Sequence, residues 1–154
     1  MLIGLVAIPI DTDYCRSNRI IFRSFASNNL LPNHLLLNVG EDVFIMGYPL
    51  GIFDKIHNIP LTRGGTIASP YPIPWNSQPF FLVDANLENG TSGSPVITKF
   101  KETWRTIDGG SVITGLAMYL LGINSSTFPR QEGQSLPTGL NATYFARLID
   151  QMTL

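Results

Sequence analysis

The sequence predicts an all-β fold. Short apolar or alternating runs recur along the chain, and Gly and Pro turns separate them, with 14 Gly and 11 Pro among 154 residues. That length suits one domain around a single core.

Six runs read as strands, at about 41–48, 60–69, 79–85, 94–100, 111–124 and 135–140. Between the first two lies a polar loop, Phe53-Asp54-Lys55-Ile56-His57-Asn58, which ends before Pro60. Pro79-Phe80-Phe81-Leu82-Val83-Asp84-Ala85-Asn86-Leu87 is an apolar strand running into a loop, and Ser94-Pro95-Val96-Ile97 leaves that loop as the next strand. Lys99 to Gly110 follows as a hairpin, with Asp108-Gly109-Gly110 as its turn. After the last run, Asn141 can cap a short helix in which Ala142, Phe145, Leu148, Ile149 and Met152 recur at three- and four-residue spacing. At the other end, Leu5 to Ile10 reads as a strand, and residues 11–39, rich in Ser, Asn and Arg, read as a connection.

Bulk properties narrow the function classes. Ten Lys and Arg against 11 Asp and Glu leave a net charge of −1, which makes no electrostatic case for nucleic acid or an acidic membrane surface. The near-neutrality fits a peptide or protein partner recognised through backbone and apolar pockets. A single cysteine, Cys15, excludes an intrachain disulfide, and nothing around it has the form of a nucleophile turn. The apolar start, Met1 to Ile8, carries no basic region and meets Pro9 and Asp11 at once, so it reads as a strand and not a signal peptide, with a cytoplasmic location as the default. No run approaches the ~18 apolar residues of a membrane helix. No cofactor and no metal are expected.

The segment with chemistry in it is Glu88-Asn89-Gly90-Thr91-Ser92-Gly93-Ser94-Pro95-Val96. A serine two residues after a glycine can present its hydroxyl to a carbonyl carbon while the N–H groups of that glycine and of the serine itself face the developing oxyanion. The same letters also describe a plain surface turn. The strands on both flanks favour the nucleophile loop.

Three further segments fall in matching order: Gly40-Glu41-Asp42-Val43-Phe44-Ile45-Met46-Gly47-Tyr48-Pro49-Leu50-Gly51, Pro60-Leu61-Thr62-Arg63-Gly64-Gly65-Thr66-Ile67-Ala68-Ser69, and Leu120-Leu121-Gly122-Ile123-Asn124. With the nucleophile loop they resemble the bacterial trypsin-like serine peptidase domain family, the group that includes the HtrA-type proteases. The resemblance runs from residue 40 to residue 140. It implies a six-stranded antiparallel barrel of the chymotrypsin-like fold with a short C-terminal helix, and it divides the chain into the last strand of a first barrel plus a linker (1–39) and a second barrel with that helix (40–154).

By the same resemblance Ser92 is the nucleophile of a serine endopeptidase, and the N–H groups of Gly90 and Ser92 are the oxyanion donors. Asn86 stands at the base of the substrate pocket and Gly122, Ile123 and Asn124 along its wall. Asp84 is structural, accepting hydrogen bonds from the loop. The resemblance also exposes departures. The position matching the catalytic aspartate is Gly4, and the catalytic histidine would lie upstream of it. His34 and His57, the two histidines of the sequence, are read as loop residues. The expectation is a truncated, catalytically incomplete peptidase, with a homodimer or a partner chain supplying the first barrel as possible associations. The alternative is a non-catalytic peptide-binding module. Apolar surface from Leu2 to Ile10 and from Leu35 to Leu37 is expected to be exposed.

Overall fold

Alternation along Asp42–Gly47 sets the first strand, β1: Val43 and Ile45 are buried inward while their neighbours are partly exposed. The computed structural model describes residues 5–22, 24–128 and 139–152. The other strands are β2 (Leu61–Ile67), β3 (Phe80–Asp84), β4 (Pro95–Thr98), β5 (Lys101–Arg105), β6 (Ser111–Ala117), β7 (Leu120–Thr127) and β8 (Leu140–Phe145). Six of them close an antiparallel barrel in the order β1-β2-β3-β8-β7-β4, with β4 pairing back onto β1. Closure leaves no barrel edge to protect. The fold is the all-β barrel that the sequence predicts.

The barrel core gathers Val43, Ile45, Ile67, Phe81, Val83, Val96, Leu121 and Phe145. Rings do much of the filling: Tyr71 stands edge-on to Phe81 at 5.1 Å and to Phe145 at 5.6 Å between centroids. Leu31, Leu35 and Leu37 join the same core, each no more than 5% exposed. This corrects the expectation that 35–37 is exposed. The segment runs beside β5, where Leu36 N–H donates to Arg105 O at 2.8 Å and Leu35 bridges Thr106, so its leucines lie under the ribbon with Trp104.

Three further differences have local causes. The run 111–124 is two strands: β6 pairs only with β5 in a separate ribbon, and β7 belongs to the barrel. The chain changes sheets at Met118-Tyr119, where the Tyr119 backbone closes onto Thr98 through N–H to Oγ1 at 3.0 Å and O from N–H at 2.9 Å. The Lys99 to Gly110 hairpin is present as the β5–β6 ribbon, with Thr106 N–H to Gly110 O closing its turn. The last strand lies later than 135–140, at Leu140–Phe145, and residues 135–138 fall outside the described residues. Asn141 therefore caps no helix. It sits inside β8 and donates to Ala85 O and Gly139 O, both at 2.8 Å, while the helical turn that follows is 3-10, Ala146–Gln151.

Ahead of the barrel, Leu5 to Ile10 makes no strand ladder. A short helix, α1 (Thr12–Ser17), follows, capped by Asp11, whose Oδ1 accepts from the N–H groups of Asp13 and Tyr14 at 3.0 and 2.8 Å. Of the segment Leu2 to Ile10 expected to be exposed, Val6, Ile8 and Ile10 are exposed, and Leu2 to Gly4 lie outside the described residues. Among the described residues no helix is long and apolar enough to cross a membrane.

Candidate active site

Ser92 stands on a turn at the end of the β3–β4 connection, exposed to solvent with Gly93, between buried Thr91 and Ser94. Two left-handed glycines shape the turn, Gly90 at φ +93° and Gly93 at φ +86°. Gly90 is further constrained by space, because a Cβ there would come within 2.9 Å of Tyr48 O. The loop is thus pressed against the segment after β1, and Leu50 N–H donates to Asn89 O at 2.7 Å across the contact.

On its other side the turn is laid along β7. Gly93 N–H donates to Asn124 O and Asn124 N–H to Ser94 O, both at 2.8 Å. Asn124 Nδ2 donates to Thr91 O at 3.0 Å, and the Ser92 hydroxyl donates to Ser125 O at 2.6 Å. The N–H of Thr91 is taken by Glu88 O, as is its hydroxyl, and the N–H of Ser94 by Thr91 O. The N–H groups of Gly90 and Ser92 carry no hydrogen bond to any described residue. Those are the two amides the sequence reading assigns to an oxyanion.

The substrate-pocket residues do not come together as one wall. Asn86 is exposed, and its carbonyl accepts from Arg63 Nη2 at 3.3 Å, the same nitrogen that reaches Glu88 Oε1 at 3.3 Å. Gly122 is buried against β8: a Cβ there would lie 2.3 Å from Tyr144 O and 2.7 Å from the Thr143 methyl, which leaves it no side-chain space. Ile123 and Asn124 border a cavity of about 400 Å³ shared with Ser92, Gly93 and Ser125. The opposite wall is Leu5, Val6 and Ala7 with Ile149 and Met152, so the N-terminal segment lies beside the serine. The Asp84 side chain is exposed and accepts no hydrogen bond from a described residue of the loop.

Neither histidine lines that cavity. His57 is on the exposed loop after β1, with Nδ1 at 2.8 Å from Asp54 Oδ2. That imidazole, first, and then the Ile56 N–H hold the Asp54 carboxyl below its ordinary pKa. The exposed His34 accepts from Ile107 N–H through its carbonyl, at the ribbon turn.

Sequence reading did not find the Asn124 and Ser125 contacts with the turn. They join residues 33 positions apart, and only the register of β7 brings them together. Arg63 on β2, reaching Asn86 and Glu88, had no sequence signal either.

No curated protein matches the chain. The family model for the trypsin-like peptidase domain matches residues 22–104, which takes in the turn that carries Ser92 and more than half of the chain. That match and the closed antiparallel barrel carrying Ser92 on its β3–β4 turn agree, and the chain belongs to the trypsin-like peptidase domain family.

Proposed function

We propose that this chain is the nucleophile-bearing barrel of a serine endopeptidase and is catalytically incomplete without a histidine and an aspartate from elsewhere. One observation carries the reading: an exposed serine on a Gly-Thr-Ser-Gly turn, beside two uncommitted backbone N–H groups, with no imidazole on the adjoining cavity. Given a base, the Ser92 Oγ proton would pass to an imidazole as the oxygen bonds to the substrate carbonyl carbon. The negative charge gathering on the carbonyl oxygen would be met by the Gly90 and Ser92 N–H groups. Collapse would expel the amine, which takes the proton from the imidazolium, and water would then release the acyl group.

In this reading residues 1–39 are the end of a first barrel and its linker, and 40–154 the second barrel. The Leu5 to Ala7 wall beside Ser92 supports it, because the end of a first-barrel strand would have to lie next to the serine. The bacterial, HtrA-type relation rests on the residues of 40–51, 60–69 and 120–124 taken in order with the 88–96 loop. The missing half is carried by a longer reading frame or by a partner chain, and the substrate is a peptide.

A non-catalytic peptide-binding module is the second reading. What favours it is the Ser92 hydroxyl itself, bound to Ser125 O and facing no base among the described residues.

Losing the base from a serine hydrolase costs about 10⁶ in kcat. The chain alone is therefore expected to give no more fluorophosphonate adduct than its Ser92→Ala variant. Rapid labelling that depends on Ser92 would show that the chain holds a base of its own, and the incompleteness would be wrong.

A further inference from the structure

We propose that Asn124 is a positioning residue that holds the nucleophile turn from behind, a role that rests on the peptidase reading of Ser92. Its four polar contacts straddle the serine: side-chain Nδ2 to Thr91 O and, longer at 3.4 Å, to Thr91 Oγ1, backbone O from Gly93 N–H, and backbone N–H to Ser94 O. The two backbone bonds are ladder-like and any residue at this position could make them. The side-chain bond is particular to asparagine. It fixes the carbonyl immediately before Ser92, and fixing that peptide plane fixes the Ser92 N–H, which is the other end of the same rigid unit. Asn124 therefore sets the direction of one of the two amides left uncommitted.

The cost of this arrangement is visible in the same side chain. Asn124 is 3% exposed, and its Oδ1 is buried with no hydrogen-bond partner. An unsatisfied buried acceptor is unfavourable, whereas an apolar side chain of the same shape would leave nothing orphaned on this residue. Thr91 O would still accept from Ser94 N–H at 3.1 Å. A site selected for stability alone would favour leucine here. Asparagine adds a donor aimed at the turn.

Stability and positioning separate in an Asn124→Leu variant. Amide hydrogen exchange followed by NMR should show the hydrogen-bonded Gly93 and Ser94 N–H groups of the turn exchanging at least tenfold faster than in the parent. The melting temperature should be unchanged or raised, and the amides of the β3–β8 ladder should stay protected. Asn124→Asp supplies a second reading. Protonated, its carboxyl can donate to Thr91 O, and ionised it cannot. The protection of Gly93 relative to the β3–β8 amides should therefore fall as the pH rises through the carboxyl pKa. Exchange at the turn that matches the parent in Asn124→Leu, or a flat ratio across pH in Asn124→Asp, would overturn the role. Neither measurement needs turnover, so a Ser92 that stayed unreactive once a base was restored would count against the peptidase reading and leave the hold of Asn124 on the turn standing.

Discussion

Ser92 and Gly93 are exposed while Thr91 and Ser94 around them are buried, and that contrast depends on a few side chains that have no room to change. Gly122 is one of them. The resemblance placed it along a substrate pocket, and the structure gives it a packing reason, the carbonyl of Tyr144 and the methyl of Thr143 closing over its Cα. An added methyl would have to push apart β7 and β8, the pair that carries Asn124 and Ser125 against the nucleophile turn. Gly122→Ala should cost about 1–3 kcal/mol by overpacking. A urea titration checks this, and an unchanged midpoint would mean that the two strands are looser than described. At this scale the sequence was legible where chemistry is local. Gly90, Ser92 and Gly93 sit within four residues, whereas the Asn124 and Arg63 contacts depend on register.

Among the elements, β1 to β4 were readable because each alternates or stays apolar between turns, and the β5–β6 ribbon because Asp108-Gly109-Gly110 marks its turn. The break between β6 and β7 was not readable. Ala117-Met118-Tyr119 is apolar throughout, with no Gly or Pro, and the change of sheet is enforced by Thr98 across the barrel. Asn141 was misread for the opposite reason: a residue type that caps helices serves here as a buried donor inside a strand. Glu41 ties the elements together, since its carboxylate accepts from Asn38 N–H at 3.0 Å, from Asn38 Nδ2 at 2.9 Å and from Lys101 on β5. Burial pushes its pKa up, but the hydrogen bonds from Lys101 and Asn38 outweigh that and leave it lowered from 4.5. A lowered folded-state pKa stabilises above the unfolded value and ceases to do so as the pH falls through the folded one. Glu41→Gln should therefore cost about 1 kcal/mol at pH 7, with the difference closing once the pH drops below 4.5 and onward through the folded value. Thermal melts of both proteins across pH 3–7 check the sign.

For the whole molecule, the barrel closes on itself but the segment ahead of it does not. Val6 is 86% exposed, Ile8 80% and Ile21 88%, and Ile10, Ile20 and Phe22 are exposed with them. Contiguous apolar surface beyond a few hundred Å² is unusual on a monomer, and each ~100 Å² kept in water forgoes about 2.5 kcal/mol. Sedimentation across a concentration series should show self-association that weakens in a Val6→Ser, Ile8→Ser, Ile10→Ser variant. A monomer at every concentration would mean that this surface needs no cover. The burial of Leu31, Leu35 and Leu37 in the barrel core limits what such a partner can replace, because the second half of the connecting segment is already packed.

The central claim is that Ser92 is a nucleophile awaiting its base, and restoring the base tests it most directly. A histidine- and aspartate-bearing first barrel, joined ahead of Leu5 with an aspartate in place of Gly4, should give fluorophosphonate labelling that is stoichiometric by intact mass and abolished by Ser92→Ala. A folded chimera, its barrel intact by amide exchange, that remains unlabelled would contradict the account and leave the peptide-binding module in its place.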